Sequence, residues 1–535
     1  MKLRWLVSNL LRAATGWAQA PQTAPKPLAD SAEVHTNLGL ALGEAHTDLG
    51  IALRQKGDVD GAIAEFRTAV RLQPDDAEAH TNLGVALGEK GEVDSAIAEF
   101  LTAIRLKPDD AKAHTNLGLA LSQKGDLDEA IAEYRTAIPL KPDYAEAHTG
   151  LGIALREKGD VAGAIAEFRT AVRLQPDDAE AHTGLGVALG KKGDMDGEIA
   201  AYRTAIRLQP DYAEAHYNLG VALRQKGDLD GAIVEYHTAI RLKPDYAGAH
   251  TNLGVALDKK GDLDGAIAEY RTAIRLKPDA VEAHNNLGVA LRQKGDLDGA
   301  ISELRTAIHL KPDDAEAHNN LGVALRQKGD GAGAIAELRT AIRLKPDLAE
   351  AHNNLGYALF KKGDLDGTIA EYRTAIRLKA DDAEAHNNLG VALGEKGDGD
   401  GAIAEYRTAI LLKPDYAEAH YNLGVALRQK GDLDGAIAAY RTAIRLQPDL
   451  ADAHKNLGIA LCEKGDVDGA IAEHRTAIRL KPGDAKAHAA LSLPLEAKGD
   501  LPAAMAEARE AYLLDPNNTV IKKQYESLLR KVNSQ

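Results

Sequence analysis

The chain has 535 residues, only 4 % of them aromatic, and this poverty of large rings excludes a set of domains built on aromatic-centred cores. Its 65 Lys and Arg against 80 Asp and Glu give a formal charge of −15 with no basic stripe to neutralise phosphates, which argues against nucleic acid as a partner. The single cysteine, Cys462, excludes an intramolecular disulfide and any multi-cysteine zinc or iron–sulfur site.

Residues 1–31 read as a leader, either disordered or a degraded signal-like segment. Lys2 and Arg4 precede Trp5-Leu6-Val7, and Ala18-Gln19-Ala20 has the character of a cleavage site, but Arg12 interrupts the apolar region and Pro21 follows the site directly. A cytoplasmic location is therefore favoured over export, and membrane association is expected only through this leader. No run reaches the roughly 18 apolar residues of a spanning helix. Residues 32–42 copy the first third of a repeating unit and form a truncated repeat. From 43 to 518 the chain is fourteen copies of one 34-residue unit, starting at Gly43 and last at Ala485. Residues 519–535 follow as a C-terminal capping helix, with Val520, Ile521, Tyr525, Leu528, Leu529 and Val532 on one side.

The copy from Ala383 to Tyr416 shows how each unit makes two helices. In the first, Ala385, His386, Leu389, Gly390 and Leu393 form one stripe of helical period. Asp381-Asp382-Ala383-Glu384 predicts a capping box before it, and Lys396-Gly397-Asp398 a break after it, because glycine tolerates a positive φ. The second helix carries Ala402, Ile403, Tyr406, Ala409 and Ile410, and Pro414 stops it. A lone hairpin of alanines and leucines buries too little apolar surface to offset its ordering entropy, so neighbouring copies must stack.

The period and these residues resemble the tetratricopeptide repeat family. Its motif falls here on His386, Leu389, Gly390, Leu393, Ala402, Tyr406, Ala409 and Pro414, at repeat positions 4, 7, 8, 11, 20, 24, 27 and 32. The resemblance implies an all-α fold: a right-handed superhelical solenoid of tandem helix-turn-helix repeats, whose first helices line a concave groove for extended peptides or partner helices. Departures mark softer links: Glu198 and Thr368 at position 20, Ala380 for the proline, and Gly331 and Gly399 at the start of second helices. Pro139 and Pro494 fall inside helices, and Ala508 replaces the aromatic in the last copy.

Every copy has a histidine at position 4, from His46 to His488. Equivalent residues of stacked helix pairs lie about 10 Å apart, too far to share one metal ion, so these rings are read as packing between helices. No convergent nucleophile, base and orienting group is visible, and neither a catalytic residue, a metal nor a cofactor is expected. Aspartates such as Asp58 and Asp60 read as helix caps rather than calcium ligands. Position 6 carries the better candidates for binding: Asn82, Asn116, Asn218, Asn252, Asn286, Asn320, Asn354, Asn388, Asn422 and Asn456. An asparagine offers a peptide backbone both donor and acceptor, and in this respect the array is similar to that of the O-linked N-acetylglucosamine transferases, whose concave asparagines hold substrate peptides. Tyr357 and Phe360 add an aromatic spot, and Arg224, Arg292, Arg326 and Arg428 at position 12 offer contacts to acidic groups. In the copy from Ala383 the clamp positions are Glu384, Asn388 and Val391, which disfavours the basic clamp that some members use for a chain terminus.

The expected function is a non-catalytic scaffold for other proteins or peptides, without a small-molecule substrate. One alternative is a substrate-recruiting array for a glycosyltransferase-type activity supplied in trans, since the residues flanking the repeats are too few for a nucleotide-sugar domain. Another is a membrane-tethered assembly factor acting through the leader.

Overall fold

A computed structural model describes residues 29–533, so the leader up to residue 28 lies outside the described residues. The described residues hold twenty-nine helices and no strand, the all-α array expected from the period. They divide into two compact units, one ending at Pro244 and the other beginning at Asp245. Nothing in the hydrophobic pattern announces that division. No described helix is long and apolar enough to cross a membrane.

Helix ends follow from single residues. Asp382 caps its helix by accepting from the backbone N–H groups of Glu384 and Ala385, both 3.1 Å away. Glu384 is thus the second helical residue, one short of the reciprocal capping box expected there. The second helix, Gly399–Leu412, is capped by Asp398, which accepts from the Gly401 N–H at 2.9 Å. Between the two helices the chain turns at a glycine in the left-handed region, and fourteen such glycines have φ between +82° and +92°. The first helix of the array, Ala29–Gln55, is unbroken over 27 residues, so the truncated copy runs without a turn into the copy that follows.

Packing within a hairpin rests on a ring against a bare backbone. Gly254 and Tyr270 show it: a Cβ at Gly254 would stand 2.6 Å from the ring carbon Cε1. Gly84 meets Phe100, Gly220 meets Tyr236 and Gly390 meets Tyr406 in the same way. Packing between hairpins then joins second helices to the next first helix. Ala266, Ile267 and Tyr270 form one buried cluster with Leu287, Ala290 and Leu291 of the following copy. Each fully buried aliphatic side chain there contributes roughly 1.5–3 kcal/mol.

The irregular copies carry local compensations. Glu198 is buried, and the space for its carboxylate exists because residue 190 is glycine, whose Cβ would lie 2.6 Å from Glu198 Cδ. Thr368, fully buried, donates its hydroxyl to the Asp364 carbonyl at 2.7 Å. Pro139 and Pro494 remain inside their helices. Near Pro494, Gln524 of the final helix donates to the Ala489 carbonyl at 2.9 Å. That final helix, Thr519–Asn533, buries Ile521 and Leu528, but Val520, Leu529 and Val532 of the expected apolar side are exposed. The helix meets the last hairpin along a narrower line than its sequence suggests.

The Gly254→Ala variant should lose about 1–3 kcal/mol of local stability through overpacking against Tyr270, despite a helix-propensity gain of ~1 kcal/mol. Gly331→Ala, where an added Cβ meets nothing within 4 Å, should be neutral or stabilising. Hydrogen exchange of the affected helices measures both.

Candidate protein-interaction face

The first helix of each copy presents positions 5, 6, 9, 12 and 13 on one side, because residues three and four apart share a helical face. Behind that face, the position-4 histidines do more than pack. In twelve copies the imidazole Nδ1 lies 2.5–2.6 Å from a glutamate Oε2 nineteen residues on, as in His318 with Glu337 and His352 with Glu371. In at least ten copies Nε2 approaches the carbonyl oxygen of the preceding copy's proline, at 3.2 Å for His318 and Pro312. The proline carbonyl can only accept, so Nε2 donates there. One side chain thereby ties its own second helix and the preceding copy to the first helix.

Two copies act as internal controls. Ala201 and Ala439 stand where the glutamate should be, and there His182 and His420 keep only the proline carbonyl and become half-exposed. The pairing of His with Glu is written in the sequence at constant spacing, and its loss in those two copies was the available signal. Among the described residues no three His, Cys, Asp or Glu side chains are placed to hold a metal ion.

The position-6 asparagines separate into groups. Asn320 donates its amide to Asn285 Oδ1 at 3.0 Å, Asn354 to Asn319 at 3.0 Å and Asn422 to Asn387 at 3.1 Å. Asn456 donates to the Tyr421 hydroxyl at 2.9 Å. These four link consecutive first helices. Asn252 bonds back to the Gly248 carbonyl at 3.2 Å. The amide nitrogens of Asn82 and Asn116 are buried without a partner. Asn218, Asn286 and Asn388 are half-buried, and among the described residues their side chains make no hydrogen bond. The glycines Gly150 and Gly184 explain why this position is partly covered. A Cβ at Gly150 would stand 2.5 Å from the Tyr134 ring of the preceding copy, so side chains here lie across that ring.

Position 12 is equally varied. Arg428 bonds Glu463 of the next copy at 2.9 Å. Arg224, Arg292 and Arg428 each bury an Nε without a partner. Burial, and then the Arg326 charge beside it, pull Arg292 below the ordinary arginine range. Arg326 lies over the Tyr357 ring, 4.3 Å from its centroid, a cation–π contact that leaves Tyr357 exposed at the surface. Phe360 turns the other way and packs against the cluster of Ile369, Tyr372 and Leu389. The two aromatics thus have separate surroundings. Cys462 is half-buried, and burial pushes its thiol up.

With this geometry in place the comparisons are decisive for the family. Tetratricopeptide repeat profiles match residues 47–111, 149–211, 251–315, 387–451, 429–485 and 455–519. Further matches cover 99–132 and 201–234, and a TPR repeat profile matches 118–155, 222–261, 324–363 and 356–397. The chain belongs to the tetratricopeptide repeat family. Tetratricopeptide repeats typically serve as protein–protein interaction scaffolds and are generally non-catalytic. Among solved structures, MamA is 30 % identical over 31 % of this chain and 97 % of its own, with a TM-score of 0.29. YrrB, described as a TPR protein with an unusual peptide-binding site, is 27 % identical over 34 % of this chain and 95 % of its own, with a TM-score of 0.30. The Cut9-Hcn1 hetero-tetramer of the APC/C is 16 % identical over 92 % of this chain and 98 % of its own, with a TM-score of 0.48. No curated protein matches the chain.

The repeat at Ala451 supplies a pH-dependent test. His474 replaces the ring that packs on glycine, is almost fully buried beside Gly458, and has an Nδ1 without a partner. Burial first, and the Lys455 ammonium second, hold its imidazole down at about 4 from an ordinary 6.5. The unfolded chain accepts a proton that the folded one refuses, so this contribution to stability is complete above pH 6.5 and is lost as pH falls toward 4. The His474→Tyr variant should be less acid-sensitive than the parent by up to about 3 kcal/mol across that window. Denaturant titrations of both proteins at pH 7 and pH 4.5 measure the difference.

Proposed function

We propose that this tetratricopeptide protein is a non-catalytic scaffold that binds extended peptide segments along the face of its first helices. The observation that carries this reading is that Asn218, Asn286 and Asn388 are half-buried and their amides make no hydrogen bond among the described residues; Asn286 and Asn388 are the ones tested. A half-buried amide without an internal partner is costly unless water or a ligand satisfies it, and a peptide main chain supplies the matching donor and acceptor. Asn320 and Asn354 have a different principal role, holding neighbouring copies in register through their bonds to Asn285 and Asn319. Arg292 and Arg326 extend the same face and supply positive charge for acidic side chains.

The double variant Asn286→Ala, Asn388→Ala should weaken capture on an arrayed peptide panel by about ten-fold, the effect of roughly one lost buried hydrogen-bond pair, without lowering the melting temperature. The double variant Asn320→Ala, Asn354→Ala should instead lower the melting temperature. Unchanged capture by the first variant removes the asparagines from the mechanism.

A further inference from the structure

Two copies have glycine at repeat position 17, where the others carry Val, Leu or Met, and an added Cβ at Gly331 or Gly399 would meet nothing within 4 Å. Each opens a cleft at the same register, between the start of its second helix and the next first helix. The two clefts differ in charge. The one at Gly399, about 630 Å³, contains Glu395 and Asp400, and Lys430 is bonded to Asp400. The one at Gly331, about 970 Å³, is lined by Arg326, Arg339, Lys361 and Lys362 and by no carboxylate.

A second departure in the same copy creates that imbalance. At the next position the other copies mostly carry an aspartate that pairs with a lysine thirty residues on, as Asp366 does with Lys396 at 2.6 Å and Asp468 with Lys498 at 2.6 Å. Here the residue is Ala332, and Lys362 has no ion pair among the described residues. Nearby acids are already engaged: Glu337 with His318 at 2.6 Å, Glu350 with the Asn319 amide at 3.3 Å, and Asp330 with the Gly333 N–H at 2.8 Å. Tyr357 forms one wall, with Arg326 over its ring at 4.3 Å and Lys361 Nζ 5.4 Å from the centroid. Ile335 and Ala336 line the apolar part.

We infer that the cleft at Gly331 and Tyr357 is a docking site for an acidic peptide segment that carries one apolar side chain. Charge complementarity commits the occupant. Four cations line this cleft and no carboxylate does, so its wall attracts carboxylates. The volume vacated by the missing position-17 side chain admits a leucine-sized group over Ile335, which a free phosphate or a nucleic-acid backbone does not offer. The inference rests on the peptide-scaffold reading and deepens it: Arg326 and Tyr357 belong to the first-helix face, so a segment lying on that face reaches the cleft directly.

The test uses the full chain and a fluorescein-labelled, end-blocked Glu-Glu-Leu-Glu-Glu peptide, read by anisotropy at low salt. Binding should weaken by about ten-fold or more in Gly331→Leu, which fills the cleft with the residue other copies carry, and in the double variant Lys361→Glu, Lys362→Glu. It should be unchanged in Gly399→Leu. The Gln-Gln-Leu-Gln-Gln peptide should bind about ten-fold more weakly than the acidic one, and neither inorganic phosphate nor a single-stranded oligothymidylate should displace the acidic peptide at equal concentration. Equal binding to the parent and to Gly331→Leu, equal binding of the Gln peptide, or displacement by the oligonucleotide would each overturn the assignment. Those results concern the cleft alone, because the asparagines are tested separately by the Asn286 and Asn388 variant. Gly331→Leu adds helix propensity and apolar contact, so a loss of binding there is not a loss of folding.

Discussion

A ring pressed onto a residue without a side chain is the contact from which each hairpin is built. Alanine-rich helices have little surface to bury, and in most copies one buried aromatic adds to it, but only if the facing helix offers bare backbone. The chain documents this constraint by its own exceptions. Leu304 and Leu338 substitute for the ring and still touch Gly288 and Gly322. In the last copy the ring becomes Ala508, and there the facing residue is free to be Ser492, fully buried and bonded to Gln524 at 2.6 Å. Removing the large partner releases the small one, as expected if volume on the two sides is conserved.

The same logic explains what could be read without coordinates. Helix limits, the left-handed glycine at each turn and the stacking of copies follow from local chemistry: Asp382, Gly397 and Pro414 act on their own neighbours, so periodicity exposes them. The histidine tie was hidden because its partners are distant in sequence. Glu371 lies nineteen residues beyond His352, and Pro346 belongs to the preceding copy. Only a reading that sets the missing glutamates at Ala201 and Ala439 beside their histidines would have found it. The asparagine ladder is visible as a pattern, yet position 5 one copy earlier does not by itself divide it, since an Asn stands there before the paired Asn354 and also before the unpartnered Asn388. The final helix buries Ile521 and Leu528 but not the rest of the apolar side its sequence displays, since burial there is set by how much of the last hairpin remains to be covered.

Because ring, glycine, histidine and the paired alanines settle stability, the remaining face is released from that task. Its residues vary from copy to copy while the left-handed glycine at the turn does not, so chemical identity along the array is carried by a minority of positions. What distinguishes the region around Tyr357 is coincidence. The loss of a leucine at 331 and of an aspartate at 332, with a tyrosine at 357, falls within two adjacent copies.

Each of those changes alone has a small structural effect. Gly331 opens space, Ala332 releases Lys362, and Tyr357 gives Arg326 a surface to rest on. Together they convert a neutral seam between copies into an apolar recess with a positive rim, whereas Gly399, with Asp400 retained, opens the recess without the charge. In a repeat protein the energetic terms are nearest-neighbour, so a site made from two adjacent copies disturbs no others. Specificity can therefore be placed at one seam of a long array while the contacts that hold every other hairpin together remain unchanged.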